Sequence, residues 1–275
     1  MNSNYDELRK PGTLVHDRYL VERCLERDGW EICYQAMDLS SGRKVQLRHL
    51  DIRVASWDFD RVEEAINRYR SFAQHWHRAE KDSAFVLAPV WDFFQEDGSP
   101  FVVTGLWGEH TESRPRDAVE ENLIQVKRIL PDVCRGLEAL HKNGLLKLTL
   151  TKDDIALLPD GQVRIAFRAA RENLMLLDLR KGPDWMSQSE TAPEVYLMKK
   201  KTPACDVYSV SAYVYNLLTA GNLSSSLNRL DVNDRILFPK SVSEHHRQVL
   251  TRGLMLNPQQ RIQTVREFTE QFLAE

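Results

Sequence analysis

The periodicity of the chain changes near Trp107–Gly108, and this change limits the fold more than any other feature. Before it come short alternating runs: Tyr19 to Leu25, Glu31 to Asp38 and, past the turn signal Ser40-Ser41-Gly42, Lys44 to Leu50. Alternation at that spacing predicts three tightly connected antiparallel strands. Residues 59 to 80 place Val62, Ile66, Tyr69 and Ala73 on one helical stripe. Two more strands, Phe85 to Phe94 and Pro100 to Trp107, flank the hairpin signal Glu96-Asp97-Gly98-Ser99. After Gly108 the pattern turns helical. Residues 118 to 142 carry an apolar stripe through Leu123, Val126, Ile129, Leu130, Val133, Leu137 and Leu140, with Pro131 expected to kink the helix or start a new turn. Short strands at Ile155 to Leu158 and Gln162 to Phe167 flank Pro159-Asp160-Gly161, and helices follow at 206–220, 243–255 and 264–273. The pattern predicts an α+β chain: a loose lead-in over residues 1–13, a small β-rich lobe over 14–107 and a larger helical lobe over 108–275.

Composition excludes several classes of function. With 275 residues the chain can form one large domain or two lobes sharing a core. Its 42% hydrophobic and 28% charged residues give an ordinary globular balance. A net charge of −3 offers no electrostatic case for nucleic acid or an anionic membrane. There is no long apolar run and no signal-peptide core, so no membrane segment is expected and the cytoplasm is the expected location. Cys24, Cys33, Cys134 and Cys205 form no Cys-x-x-Cys pair and are read as reduced thiols. His75 with His77, and His245 with His246, lack the spacing and partners of a zinc site. No metal or other cofactor is expected.

Three stretches in the second half carry a resemblance to a known family. Thr191-Ala192-Pro193-Glu194, Cys205-Asp206-Val207-Tyr208-Ser209 and Leu256-Asn257-Pro258-Gln259-Gln260-Arg261 lie in the order and at the spacing found in protein kinases, especially the bacterial Ser/Thr type. The likeness covers roughly Leu14 to Leu273 and implies the two-lobed protein-kinase-like fold. It implies that Glu194 and Arg261 form an ion pair, and that Asp206 opens the helix on which the large lobe is built.

The resemblance also implies where phosphoryl-transfer groups would stand, and there the chain departs from the family. Such transfer relies on positioning and charge neutralisation. Glu26, Asp28 and Glu31 occupy the three glycine positions of the phosphate loop, around Gly29-Trp30, and are expected to repel a triphosphate. The third-strand lysine becomes Arg48, and its helix partner is expected at Glu63 or Glu64. Gln46 replaces a small residue against the adenine slot. Lys147-Leu148-Thr149 stands for His-Arg-Asp, so Thr149 replaces the aspartate that would accept the substrate's proton. Asp154 replaces the metal-binding asparagine, and Phe167-Arg168-Ala169 replaces Asp-Phe-Gly. Asp153 and Asp154 are read either as a solvated pair capping a turn, which is favoured, or as a residual magnesium site. Arg168 is expected to reach Asp153, Asp154 or Glu63.

The reading that follows is a catalytically inactive pseudokinase, acting as a protein-interaction, scaffold or allosteric module and not binding Mg-ATP. The alternative is an atypical nucleotide-binding transferase built on Asp153, Asp154, Arg48, Lys147 and Arg168. Protein partners are expected, with candidate surfaces at Ala170 to Glu190 and Trp76 to Ser83. Trp57, Trp76, Trp107 and Trp185 are read either as interface anchors or, favoured, as packing at lobe edges. The chain is also readable as one module of a longer multidomain protein.

Overall fold

Each expected strand pair forms, and the turns show why. Asp97 and Gly98 both adopt positive φ, 51° and 74°. That is the geometry of a two-residue hairpin matched to strand twist, which an Asp-Gly pair adopts at low cost. In this computed structural model residues 9–28, 31–51, 59–105, 111–112, 119–158, 160–169, 188–221, 223–232 and 236–274 are described.

The first sheet contains β1 (Leu14–Val15), β2 (Tyr19–Asp28), β3 (Glu31–Asp38), β4 (Arg43–Leu50), β5 (Val90–Glu96) and β6 (Ser99–Gly105). Its strand order is β1-β2-β3-β4-β6-β5, antiparallel throughout. Val15, Tyr19, Val21, Tyr34, Val45, Leu47 and Phe101 form a core on one face. On β4 the odd residues Val45 and Leu47 enter that core, so Gln46 and Arg48 face the opposite side.

Helix α1 (Phe59–Asp82) connects β4 to β5. Ile66, Tyr69, Phe72, Ala73, Trp76 and Ala79 are buried along it. Trp76 is fully buried and donates Nε1–H to Ala88 O at 2.8 Å. The indole therefore packs inside the molecule, as lobe packing and not as an interface anchor, while Arg78, Lys81 and Asp82 of the Trp76 to Ser83 segment are exposed. Phe85, expected to start a strand, instead takes a φ of 69° and is 79% exposed. The strand begins at Val90, because residues 86–88 bond to Ile165 of the other lobe instead.

The helical lobe starts with α2 (Val119–Lys142), which runs unbroken through Pro131. A small sheet joins β7 (Thr111–Glu112), which precedes α2, to β8 (Ile155–Leu157) and β9 (Val163–Ile165), which follow it; then come α3 (Pro193–Tyr196), α4 (Pro203–Thr219), α5 (Ser226–Val232), α6 (Glu244–Gly253) and α7 (Val265–Leu273). Ser243 and Thr264 cap α6 and α7 by accepting the His246 and Glu267 amides, which satisfies donors the first turn leaves free. One apolar core passes through both lobes, from Tyr69 and Trp76 of α1 to Phe268 and Phe272 of α7. The expected joint at Trp107–Gly108, and Gly29, Trp30, Trp57, Trp185 and 170–187 of the Ala170 to Glu190 segment, lie outside the described residues.

Candidate functional site

Asp206, near the start of α4, organises the loop after α2. Its Oδ1 accepts the Leu148 amide at 2.5 Å, and its Oδ2 accepts the Lys147 amide at 3.0 Å and lies 2.7 Å from His141 Nε2. These bonds hold Leu148 at a φ of 66°, a conformation a leucine adopts only when its surroundings impose it. With the backbone so turned, Lys147 points inward. Its Nζ donates to Asp154 Oδ1 at 2.9 Å, Thr149 O at 3.1 Å and Arg168 O at 3.4 Å. Thr149, beside it, is buried and hydrogen-bonds the Thr191 hydroxyl at 2.8 Å.

Asp154 closes a single 3-10 turn (Lys152–Asp154). Its Oδ2 accepts the Thr151 amide and hydroxyl at 2.8 and 2.9 Å, and its Oδ1 accepts Lys147. Burial pushes the Asp154 carboxyl up, but Lys147, Arg168 and the Thr151 donors outweigh it, and the net displacement is below the ordinary value. Asp153 is different: it is exposed and paired with Lys152. The expectation of two solvated carboxylates therefore holds for Asp153 and fails for Asp154, which is 2% exposed and already paired.

The opposite wall comes from the sheet. Glu31, at the start of β3, lies diagonally from Arg48, because Cys33 is Arg48's register partner. A diagonal cross-strand pair is within reach of long side chains. Arg48 Nη1 donates to Glu31 Oε2 at 2.6 Å, and the Tyr69 hydroxyl of α1 donates to Glu31 Oε1 at 2.8 Å. Glu63 and Glu64, the expected partners of Arg48, instead face solvent, and Glu64 binds Arg68 one turn along α1. Tyr69 stands on the α1 face that meets Arg48. Burial, then the Glu31 charge, pushes its hydroxyl well above the usual range, so it stays a proton donor. Burial likewise pushes the Cys33 thiol up to about 11.

Arg168 joins the two walls. Its Nη2 lies 2.7 Å from both oxygens of Glu26, and its Nε is 3.9 Å from Asp154 Oδ1. Of its three expected partners, Asp154 is approached loosely and Glu26 takes the close contact. Phe167 turns the other way, into a cluster with Tyr69, Phe72 and Trp76 at centroid distances of 6.1, 5.5 and 5.3 Å. Ala169 is partly buried against the same core.

The site is thus a chain of alternating charges: Glu31 with Arg48, and Glu26 with Arg168, then Asp154 with Lys147. This changes the electrostatic reading of Glu26 and Glu31. They are not free carboxylates facing a ligand, because each holds an arginine and the six groups sum to zero formal charge. The side chain of Asp28 lies outside the described residues. Gln46 is buried on the Arg48 face, opposite Thr104 in register, and its Oε1 and the Thr104 hydroxyl lack hydrogen-bond partners. Among the described residues no three His, Cys, Asp or Glu side chains converge as metal ligands, and no helix is long and apolar enough to cross a membrane.

The marker pair forms as expected. Arg261 Nη1 and Nη2 lie 2.7 and 3.1 Å from Glu194 Oε1 and Oε2, a bidentate and buried arrangement. Tyr69 and Thr191 were not singled out as site residues. Tyr69 reads as core on the apolar stripe of α1, and nothing local marks its hydroxyl. The Glu31–Arg48 pair was accessible from strand register alone.

A sheet of this order, a helix packed behind it, and a helical lobe centred on Asp206 with a Glu194–Arg261 pair make up the protein-kinase fold. Among solved structures, the apo form of PpkA-294 matches with a TM-score of 0.74 at 18% identity, covering 96% of this chain and 98% of that one. The PknI kinase domain of Mycobacterium tuberculosis matches with a TM-score of 0.64 at 18% identity, covering 96% and 97%. In sequence, the serine/threonine-protein kinase PknL of Mycobacterium bovis is 28% identical over 236 residues, 80% of this chain, and that of M. tuberculosis is equally similar. The serine/threonine-protein kinase PLK4 of Nematostella vectensis is 22% identical over 259 residues, covering 91% of this chain and 26% of that protein. No family model matches the chain. The chain has the protein-kinase fold and is homologous to bacterial serine/threonine-protein kinases. It spans 55% of the length of the PknL proteins.

Proposed function

We propose that this domain is a catalytically inactive, cytoplasmic pseudokinase whose cleft holds its own ion network in place of Mg-ATP, and that it works as a protein-interaction, scaffold or allosteric module. The observation that carries this reading is the buried Lys147–Asp154 pair. In the resemblance Asp154 is the one carboxylate left for a metal, and here an ammonium from the catalytic loop and two Thr151 donors occupy it. Magnesium binds through carboxylates together with phosphate oxygens, so it would have to displace an internal cation to gain a ligand. Three further features support the same reading. Phe167, at the second metal position, is packed in the core. Thr149, at the proton-accepting position, is bound to Thr191. Arg48 and Arg168, the cations nearest to hand for phosphates, are held by Glu31 and Glu26.

Thermal unfolding with and without ATP plus Mg²⁺ or Mn²⁺ tests the proposal. The expected result is an unchanged midpoint. A ligand at one hundred times its dissociation constant would add about 2.7 kcal/mol, a shift of several degrees for a domain this size. A reproducible shift of that kind, or phosphoryl transfer from γ-labelled ATP, would overturn the reading. Adenosine alone serves as a control, since a shift with the nucleoside only would concern Gln46 and Thr104 and leave the phosphate region closed.

A further inference from the structure

Away from the cleft, α3, α5 and the segment after α6 enclose a groove of about 960 Å³. Its apolar lining includes Leu197 and Leu230, 48% and 46% exposed, together with Ile236, Met255 and Leu256. Exposed leucines gathered around a concavity mark an interaction surface more often than single scattered ones do. The rim is cationic. Lys199 and Lys200 line it and are exposed, whereas Glu194, the one carboxylate among the described lining residues, is consumed by Arg261. Arg229, 5% exposed, also lines the groove. Its Nη atoms are held by the Tyr208 hydroxyl and Leu254 O, and its Nε is left without a partner.

The wall that carries the lysines is preorganised. The Lys199 amide donates to Glu194 O at 2.9 Å, Met198 is held at a φ of 52°, and Glu194 is fixed by the bidentate Arg261. A rigid surface of this kind loses little entropy when it binds.

We infer that this groove docks an acidic amphipathic segment of another protein, with apolar side chains seated over Leu197 and Leu230 and carboxylates meeting Lys199 and Lys200. The inference deepens the interaction-module reading and rests on it. Charge favours this occupant over a second copy of the chain. A two-fold self-contact places the same patch against itself, and here that would set lysine against lysine.

The test is selection of a random displayed-peptide library on the whole chain, followed by anisotropy measurements on the recovered peptides. The expected peptides carry Asp or Glu flanking Leu, Ile or Phe. Their affinity should fall about tenfold in Lys199→Glu/Lys200→Glu and in Leu230→Asp, and should fall with added salt. The milder Lys199→Ala/Lys200→Ala should weaken binding in the same direction. Leu39→Asp, at a leucine 55% exposed on the sheet lobe, should leave it unchanged. All four positions are exposed, and an unaltered melting midpoint verifies that each variant is folded.

Failure to recover peptides, recovery of basic or uncharged ones, or acidic peptides indifferent to both groove variants would overturn the inference. So would concentration-dependent self-association abolished by Leu230→Asp, which would make a second copy the occupant. These outcomes are separate from the ATP experiment. Stabilisation by Mg-ATP would refute the closed cleft and leave peptide docking standing, and loss of docking would leave the cleft reading intact.

Discussion

Replacing Lys147 with methionine keeps an unbranched stem and removes the ammonium, which tests the centre of the cleft network. Lys147 and Asp154 are each 2% exposed and 2.9 Å apart. The substitution strips a donor from Asp154 Oδ1, Thr149 O and Arg168 O at once. Breaking a buried pair on one side costs about 3–5 kcal/mol, because the remaining charge stays buried without compensation. Two features place this case near the lower bound. Asp154 Oδ2 keeps both Thr151 donors, and Arg168 Nε remains 3.9 Å from Oδ1. The expected loss is therefore about 3 kcal/mol, a large share of the roughly 5–15 kcal/mol that holds a domain folded. Urea unfolding followed by far-UV circular dichroism measures it, with the slope against urea expected to stay constant. Removing the second charge as well, in Lys147→Met/Asp154→Asn, should cost less than the two single changes added together, by about 1 kcal/mol or more.

The same pair predicts a pH signature. The folded Asp154 carboxyl lies below its ordinary value. Its contribution is therefore fully present above the unfolded value of about 3.9 and is lost as pH falls through the folded one. In Lys147→Met the main opposing cation is gone and burial dominates, so the carboxyl moves upward. Protonation then favours the folded state, and relative stability rises as pH drops toward the unfolded value. A loss under about 0.5 kcal/mol, or a pH profile identical to that of the unaltered protein, would refute the argument.

Two other substitutions probe the helical lobe. Arg261→Met leaves Glu194 buried with the Cys205 thiol as a remaining donor and also frees Ala204 O and Met255 O; the expected loss in urea unfolding is about 3–5 kcal/mol, and a loss below 1 kcal/mol would count against a structural ion pair. Gly253→Ala should lower the melting midpoint, since its Cβ would clash with Ser211 Oγ and lie 2.9 Å from Ser211 Cβ; overpacking of about 1–3 kcal/mol exceeds the helix-propensity gain of up to about 1 kcal/mol, and Ser211→Ala added to it should restore part of the loss.

Much of the fold was legible because its signals are local. The Asp97-Gly98 turn and the apolar stripes of α1 and α2 each depend on residues within a few positions of one another. Phe85 was misplaced because an apolar residue beside a strand pattern reads as strand, whereas the loop before β5 is held by bonds to Ile165 in the other lobe. Trp76 and Tyr69 show the same limit. Periodicity places Tyr69 on a buried face but does not say that it donates to Glu31, and Trp76, read at a lobe edge, closes over Phe167 inside the core.

The order of residues alone determined the lobed plan and the positions where carboxylates replaced the glycines, arginine the lysine, and Thr149 and Phe167 the aspartates, since hydrophobic period and motif spacing are properties of the linear chain. Only the folded arrangement decided what those charges do. Arg168 and Glu26 are 142 positions apart, and no local rule pairs them. Folding brings them within 2.7 Å of each other beside the fully buried Lys147–Asp154 pair, where a buried charge must find an opposite one or stay at high cost, and the cleft neutralises itself.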